Sequence, residues 1–177
     1  MERKNLNDNL VGIISDTHDN IFLIDEAVRL LNERSVSLVL HAGDYVSQFT
    51  VSHFKPLNAR LVGVFGNNCA ERRVLLDRFK EINMDVSGFF AEVKYDNLKI
   101  ALLHGHDVAL LNSLINSGAY DVVVYGHTHE AKVQRVGGTL VINPGEVCGY
   151  VTGNRTLAVL DTNSLKVEMV KIKVSTQ

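Results

Sequence analysis

The sequence predicts an α/β protein in which two sheets share a core and helices lie outside. Three observations carry this. In the first half, three apolar runs each end in a polar cluster and lead into a helical pattern. In the second half, β-rich runs dominate. The composition, 46% hydrophobic and 21% charged over 177 residues, is that of a chain that folds around its own core. At roughly 100–200 residues per domain, one domain over residues 1–177 is expected, with its core from about 10 to 174.

Leu10 to Ser15 is a short apolar run opening into Asp16-Thr17-His18-Asp19-Asn20, the pattern of a buried strand entering a loop. Ile24, Ala27, Val28 and Leu31 follow at helical spacing, with Asp19 or Asn20 as N-cap. Ser37 to Leu40 repeats the strand signal and runs into His41-Ala42-Gly43-Asp44, then a short helix through Phe54. Ala59 to Phe65 does so a third time, ending in Gly66-Asn67-Asn68 before a helix from Glu71 to Ile82. Three βα units imply a mainly parallel sheet. Phe90 to Tyr95 and Lys99 to Leu103, separated by Asp96-Asn97-Leu98, read as a hairpin. A helix from Val108 to Ile115 precedes the strand Tyr120 to Tyr125, which stops at Gly126-His127-Thr128-His129. Beyond Lys132 the chain is strand-like, with Gly137-Gly138 and Asn143-Pro144-Gly145 as turns and late strands over Thr156–Leu160 and Leu165–Val174.

Composition narrows the function classes. Eighteen basic against twenty acidic residues give a net charge of −2, so no overall positive field marks a dedicated nucleic-acid binder. No apolar run approaches the roughly 18 residues of a membrane span. Cys69 and Cys148 are too few for a disulfide framework and lack zinc-pair spacing, which makes the cytoplasm the expected compartment. Exposed edge strands make a homodimer an expected assembly.

The seven histidines are the unusual count, because five fall in three clusters beside Gly or Asp. Asp16-x-His18 alone is weak evidence, since such a triplet arises by chance about once in this composition. Gly43-Asp44 and Gly66-Asn67 alone are turns. His104-Gly105-His106 and Gly126-His127-Thr128-His129 each follow an apolar run directly, and either could be a hydrogen-bonded core pair. Together, Asp16, His18, Asp44, Asn67, His104, His127 and His129 offer seven N/O ligands and no thiolate. That set suits Mn, Fe, Ni, Co or Zn at a working site better than a closed structural zinc. Seven donors exceed the need of one ion and match two ions sharing a bridging carboxylate.

These blocks, in this order, resemble the signature of the calcineurin-like metallophosphoesterases, and most closely their small single-domain bacterial and archaeal phosphodiesterase branch. The resemblance covers about Leu10 to Asp161, including Asn143-Pro144-Gly145. It implies a four-layer α/β/β/α sandwich of two mixed sheets flanked by helices. It further implies that Asp16, His18 and His129 bind one divalent ion and Asn67, His104 and His127 the other, with Asp44 bridging. Mn²⁺ or Ni²⁺ is the expected metal, with Fe, Co or Zn compatible, and the implied reaction is attack of a metal-bridging hydroxide on a small phosphoester, diesters above all. A phosphomonoesterase or nucleotide phosphatase with the same ions is the alternative enzyme. The non-catalytic alternative is a protein-binding scaffold, as in the retromer subunit resembling this family.

Three departures from the family pattern bear on catalysis. Asn68 stands where many members have a phosphate-contacting His, which leaves Asn68 and His106 as the catalytic candidates beside Asp44. Asn68-Cys69 replaces the Cys-Asp frequent in the small branch. Glu146 replaces the Ser of Asn-Pro-Gly-Ser, and its charge would repel phosphate unless it points away. His41 is expected to pack behind the site, His53 to lie at the surface, Cys69 and Cys148 to be partly buried, and Arg72-Arg73 to give local help to a phosphate at most.

Overall fold

The computed structural model describes residues 9–86 and 88–173. Strands β1 (Leu10–Ile14), β2 (Leu38–His41), β3 (Arg60–Gly63) and β4 (Asp85–Val86) pair in parallel, while β10 (Thr156–Asp161) and β11 (Lys166–Lys171) extend the sheet antiparallel beyond β1. The second sheet runs β5 (Phe90–Tyr95), β6 (Leu98–Leu103), β7 (Val122–Val124), β9 (Thr139–Pro144) and β8 (Ala131–Val136), with β6, β7 and β9 parallel and both edges antiparallel.

The apolar runs of the sequence dictate this layering because successive side chains in a strand point to opposite faces. In the first sheet Ile13, Leu40 and Val62 lie in register and face the second sheet, which answers with Leu102, Val124 and Ile142. The alternate row, Val39 and Leu61 with Ile14, faces the helices. A one-residue slip would exchange the two rows, so burial on both faces pins the register. α1 (Ile21–Glu33) lays Leu23, Ile24, Ala27, Val28 and Leu31 on the first sheet, and the Asn20 side chain caps it by accepting from the Leu23 N–H. α2 (Val51–Phe54) and α3 (Arg72–Glu81) cover the same face. α4 (Val108–Asn116), capped by Asp107, packs Leu111 against Ala101, Val123 and Val141 of the second sheet. The order is helices, sheet, sheet, helix, as expected. Among the described residues no helix is long and apolar enough to cross a membrane.

The differences from the sequence reading are local. β4 is only two residues long, too short to leave a periodicity, and is held by pairing to Val62 and Gly63. Asn143 and Pro144, expected in a turn, continue β9 opposite Lys132 and Ala131, and the chain turns at Gly145. Pro144 is tolerated there because β7 has already stopped at Val124, opposite Ile142. Leu165 lies in a turn at φ 53°, which shortens the last strand at its start, and Val174, its expected end, lies outside the described residues.

Candidate functional site

Asp16, Asp44, Asn67, His104, His127 and Glu146 all follow the carboxyl ends of parallel strands, β1, β2, β3, β6, β7 and β9 respectively. In open α/β sheets that end is where ligands bind. Backbone bonds lace the loops together: Asp16 N–H donates to Gly43 O (3.0 Å), Gly126 N–H to His104 O (2.9 Å) and Cys148 N–H to Asp16 O (3.1 Å). Five of the seven expected metal ligands, Asp16, His18, Asp44, His127 and His129, have positive φ, between 41° and 66°. Asp and His tolerate this region better than most residues, and a cost of about 1–3 kcal/mol each is the kind of strain that functional sites retain. The sharp turns let both side chains of each motif face one pocket.

Hydrogen bonding then sets the chemistry. His104 Nδ1 lies 2.8 Å from Ala42 O, and a carbonyl only accepts, so Nδ1 carries the proton. Its Nε2 lies 3.2 Å from Asp44 Oδ2. His129 repeats the arrangement, with Nδ1 2.7 Å from Glu146 Oε2 and Nε2 3.3 Å from Asp16 Oδ1. His18 Nε2 sits 3.6 Å from Asp16 Oδ1 and 3.5 Å from Asp44 Oδ2. In each case a ring nitrogen faces a carboxylate. Asp16 Oδ1, His18 Nε2 and His104 Nε2 are buried without any hydrogen-bond partner among the described residues. Burying polar atoms in that state costs roughly 1–3 kcal/mol each unless something positive lies between them. Atoms of Asp16, Asp44 and His104, and separately of His18, His129 and Cys148, lie within 4.8 Å of one another, close enough to share a cation. The donor set, carboxylate and imidazole with the Nδ1 of His104 and His129 tied back, fits divalent transition metals.

Comparison with known proteins agrees with this geometry. Residues 10–165 match the model of the calcineurin-like phosphoesterase superfamily domain. The chain belongs to that superfamily. It is 46% identical over 153 residues to the phosphodiesterase MJ0936 of Methanocaldococcus jannaschii, covering 86% of this chain and 92% of that one. It superposes on an archaeal phosphodiesterase structure with a TM-score of 0.88 and 43% identity, covering 92% of this chain and 99% of the other. Vps29 of Entamoeba histolytica matches with a TM-score of 0.65 at 22% identity over 93% and 99% of the two chains, a likeness of fold alone.

The calcineurin-like pattern guides where the remaining residues lie. Asn67, the expected ligand, is exposed. Asn68 instead turns onto Asp44, its N–H donating to Oδ1 at 2.8 Å and its Nδ2 to Oδ2 at 2.7 Å. Both asparagines are exposed at the mouth of this loop. Burial opposes ionisation of Asp44, but the two hydrogen bonds from Asn68 favour the charged form and its carboxyl lies below the ordinary range. His106 is exposed at the rim, its ring 5.6 Å from that of His104 and 6.2 Å from that of His127. A hollow of about 200 Å³ opens beside it, with Phe89, Leu103 and Leu110 in its wall, and the Arg72 guanidinium lies 4.6 Å over the Phe89 ring. Asn143 holds the His127–His129 loop, donating to Gly126 O (2.9 Å) and Thr128 Oγ1 (3.0 Å).

Glu146, the departure from the calcineurin-like pattern, turns its carboxylate onto His129 and the loop that follows it. It is fully buried and turned onto His129 and the N–H groups of Tyr150, Val151 and Thr152. Burial works against its charge, yet His129 and Thr152 lower its pKa to about 2. Both cysteines are fully buried rather than partly so, Cys69 within the helix-side core and Cys148 donating to Glu146. Burial pushes the Cys148 thiol up to about 12.

His41 packs behind the site as expected. It is fully buried, accepts at Nδ1 from the Gly43 N–H (3.1 Å), and stacks 4.0 Å from the Tyr45 ring. Burial drives its pKa down to about 3 against the pull of Asp16 and Asp44. An unfolded chain takes up this proton near pH 6.5 while the folded one refuses it, so His41 lends stability above that pH that drains away as pH falls toward 3. The slope is at most about 1.4 kcal/mol per pH unit. His41→Asn keeps an acceptor for Gly43 but does not titrate. Urea unfolding at pH 7 and pH 5 should show a drop about 2 kcal/mol smaller in the variant than in the parent chain.

Proposed function

We propose that this chain is a metal-dependent phosphodiesterase with two divalent ions, Mn²⁺ or Ni²⁺ foremost, in the pocket between its sheets. The observation that carries the reading is the set of buried, unpartnered nitrogens and carboxylate oxygens facing one another at strand ends. Asp16, His18 and His129 would hold one ion, and Asn67, His104 and His127 the other, with Asp44 shared. When bound, such ions polarise phosphoryl oxygens and lower the pKa of coordinated water. The protein's part is positioning. Ala42 O and Glu146 fix the tautomers of His104 and His129, and Asn143 holds the loop carrying His127 and His129. His106, exposed beside both imidazoles, is the better candidate to touch the substrate phosphate, because Asn68 spends its Nδ2 on Asp44. The apolar hollow beside His106 suits the hydrocarbon or aryl part of a small ester. The name of the archaeal relative, matched in sequence and in structure, supports diesters over monoesters. The single domain and the cytoplasm stay part of this reading, the latter because Cys69 and Cys148 are unpaired.

The test is a rate survey of chelator-stripped protein reloaded with Mn²⁺ or Ni²⁺, on bis(4-nitrophenyl) phosphate and 4-nitrophenyl phosphate. Turnover should be absent without metal and faster on the diester. A faster monoester would favour the phosphomonoesterase, and bound metal without turnover of either would favour the scaffold. His53→Ala serves as the control. That imidazole pairs with Asp25 on the helical face (2.8 Å) and its loss should leave the diester rate within about twofold.

A further inference from the structure

The two halves of the pocket differ in what stands behind their histidines. His104 Nδ1 donates to a neutral acceptor, Ala42 O at 2.8 Å. His129 Nδ1 donates to a carboxylate, Glu146 Oε2 at 2.7 Å. Glu146 is locked in place. Its Oε2 also accepts from the Cys148 thiol (3.2 Å) and the N–H groups of Tyr150 (3.0 Å) and Val151 (3.1 Å). Its Oε1 accepts from the N–H (2.6 Å) and hydroxyl (2.7 Å) of Thr152. With both oxygens so engaged and no exposure to solvent, Glu146 can neither swing into the pocket as a ligand nor retreat from His129. A ring N–H given to a full carboxylate makes a stronger hydrogen bond than one given to a carbonyl, and it fixes the ring so that the distal nitrogen is the one left free to ligate. That distal nitrogen is Nε2, 3.3 Å from the unpartnered Asp16 Oδ1. Asp16 and Asp44 both reach His104 and His18, so the fixed charge that separates the two halves is Glu146, which stands behind His129 with no counterpart behind His104.

We propose that Glu146 is a positioning residue: it fixes His129 as the Nδ1–H tautomer and makes the Asp16–His18–His129 half of the pocket the tighter, first-filled cation position. The Asp44–His104 half fills second. This rests on the two-cation reading above. It also gives the substitution at this position a role other than repelling phosphate.

Calorimetric titration of metal-free protein with Mn²⁺ tests it. The parent chain should show two events of different affinity. Glu146→Gln keeps the side-chain length but removes the charge, and it should weaken the tighter event about 10–100-fold while leaving the weaker one unmoved. Thr152→Val removes one bond to Oε1 and leaves the His129 bond in place, so it should lower the melting temperature and spare both events. Should Glu146→Gln not fold, ¹⁵N-histidine NMR of the metal-free parent in mildly alkaline buffer still decides, with a proton on His129 Nδ1 expected. A proton on Nε2, two equal events in the parent chain, or a tighter event that survives Glu146→Gln or weakens equally in Thr152→Val would overturn the proposal. A parent chain that takes up no divalent ion would instead overturn the two-cation reading itself.

Discussion

Asp44→Asn should abolish diester turnover while leaving the fold intact. The carboxylate is 1% exposed, and its Oδ2 lies 3.2 Å from His104 Nε2 and 3.5 Å from His18 Nε2, nitrogens from the two different sheets. It is placed to serve both halves of the pocket. Because its pKa lies below the ordinary range, the substitution removes a full charge at neutral pH. Losing about 4 kcal/mol of charge stabilisation at such a centre corresponds to roughly a 10³-fold drop in rate. The backbone should survive, since Asp44 sits at φ 59°, a conformation that Asn adopts readily, and an amide oxygen can still accept from the Asn68 N–H. Unchanged circular dichroism, lost Mn²⁺ uptake and background turnover are the expected results. Equal diester rates for Asp44→Asn and His53→Ala would refute the placement of the site.

Gly43→Ala should be nearly as damaging, by a different route. Gly43 lies at φ 105°, outside the conformations open to alanine, and an added Cβ would stand 2.8 Å from the Gly66 backbone N and 2.9 Å from His104 Nδ1. The first contact is with backbone, so it is not relieved by a rotamer change. The second displaces the imidazole from Ala42 O and so from its working tautomer. We expect turnover near background, together with about 1–3 kcal/mol of lost stability, or several degrees in melting temperature for a chain of this size. Gly137→Ala is the matched control. Its φ is also positive, at 58°, but nothing lies within 4 Å of the added methyl, so it should cost some stability and no activity. Thermal melts and diester rates on the two variants separate strain at the pocket from strain in general.

Most of the pocket was legible because its chemistry sits in short motifs directly after apolar runs. Asp16-x-His18, Gly43-Asp44 and the two His clusters each follow a run that could only be a buried strand, and parallel strands bring their carboxyl ends to one side. What remained illegible depends on direction rather than identity. Asn68 reads as a residue facing the phosphate, yet the turn after β3 lays its amide on Asp44. Glu146 reads as a charge beside an anion site, yet its orientation is set by N–H groups four to six residues downstream, which no local pattern announces. His41 was legible as a packing residue, and Tyr45 and Phe54 are the rings that enclose it. β4 escaped because two residues carry no periodicity, and its pairing with β3 alone defines it.

The pocket draws its candidate ligands from both sheets at once. Asp16, His18 and Asp44 belong to loops of the first, and His104, His127 and His129 to loops of the second. A cation seated among them acts as a rivet through the two layers, because neither sheet can peel from the other without surrendering it. Ion capture and resistance to unfolding then become one thermodynamic quantity, and the chain's melting point should climb with the logarithm of free metal concentration once the pocket begins to fill.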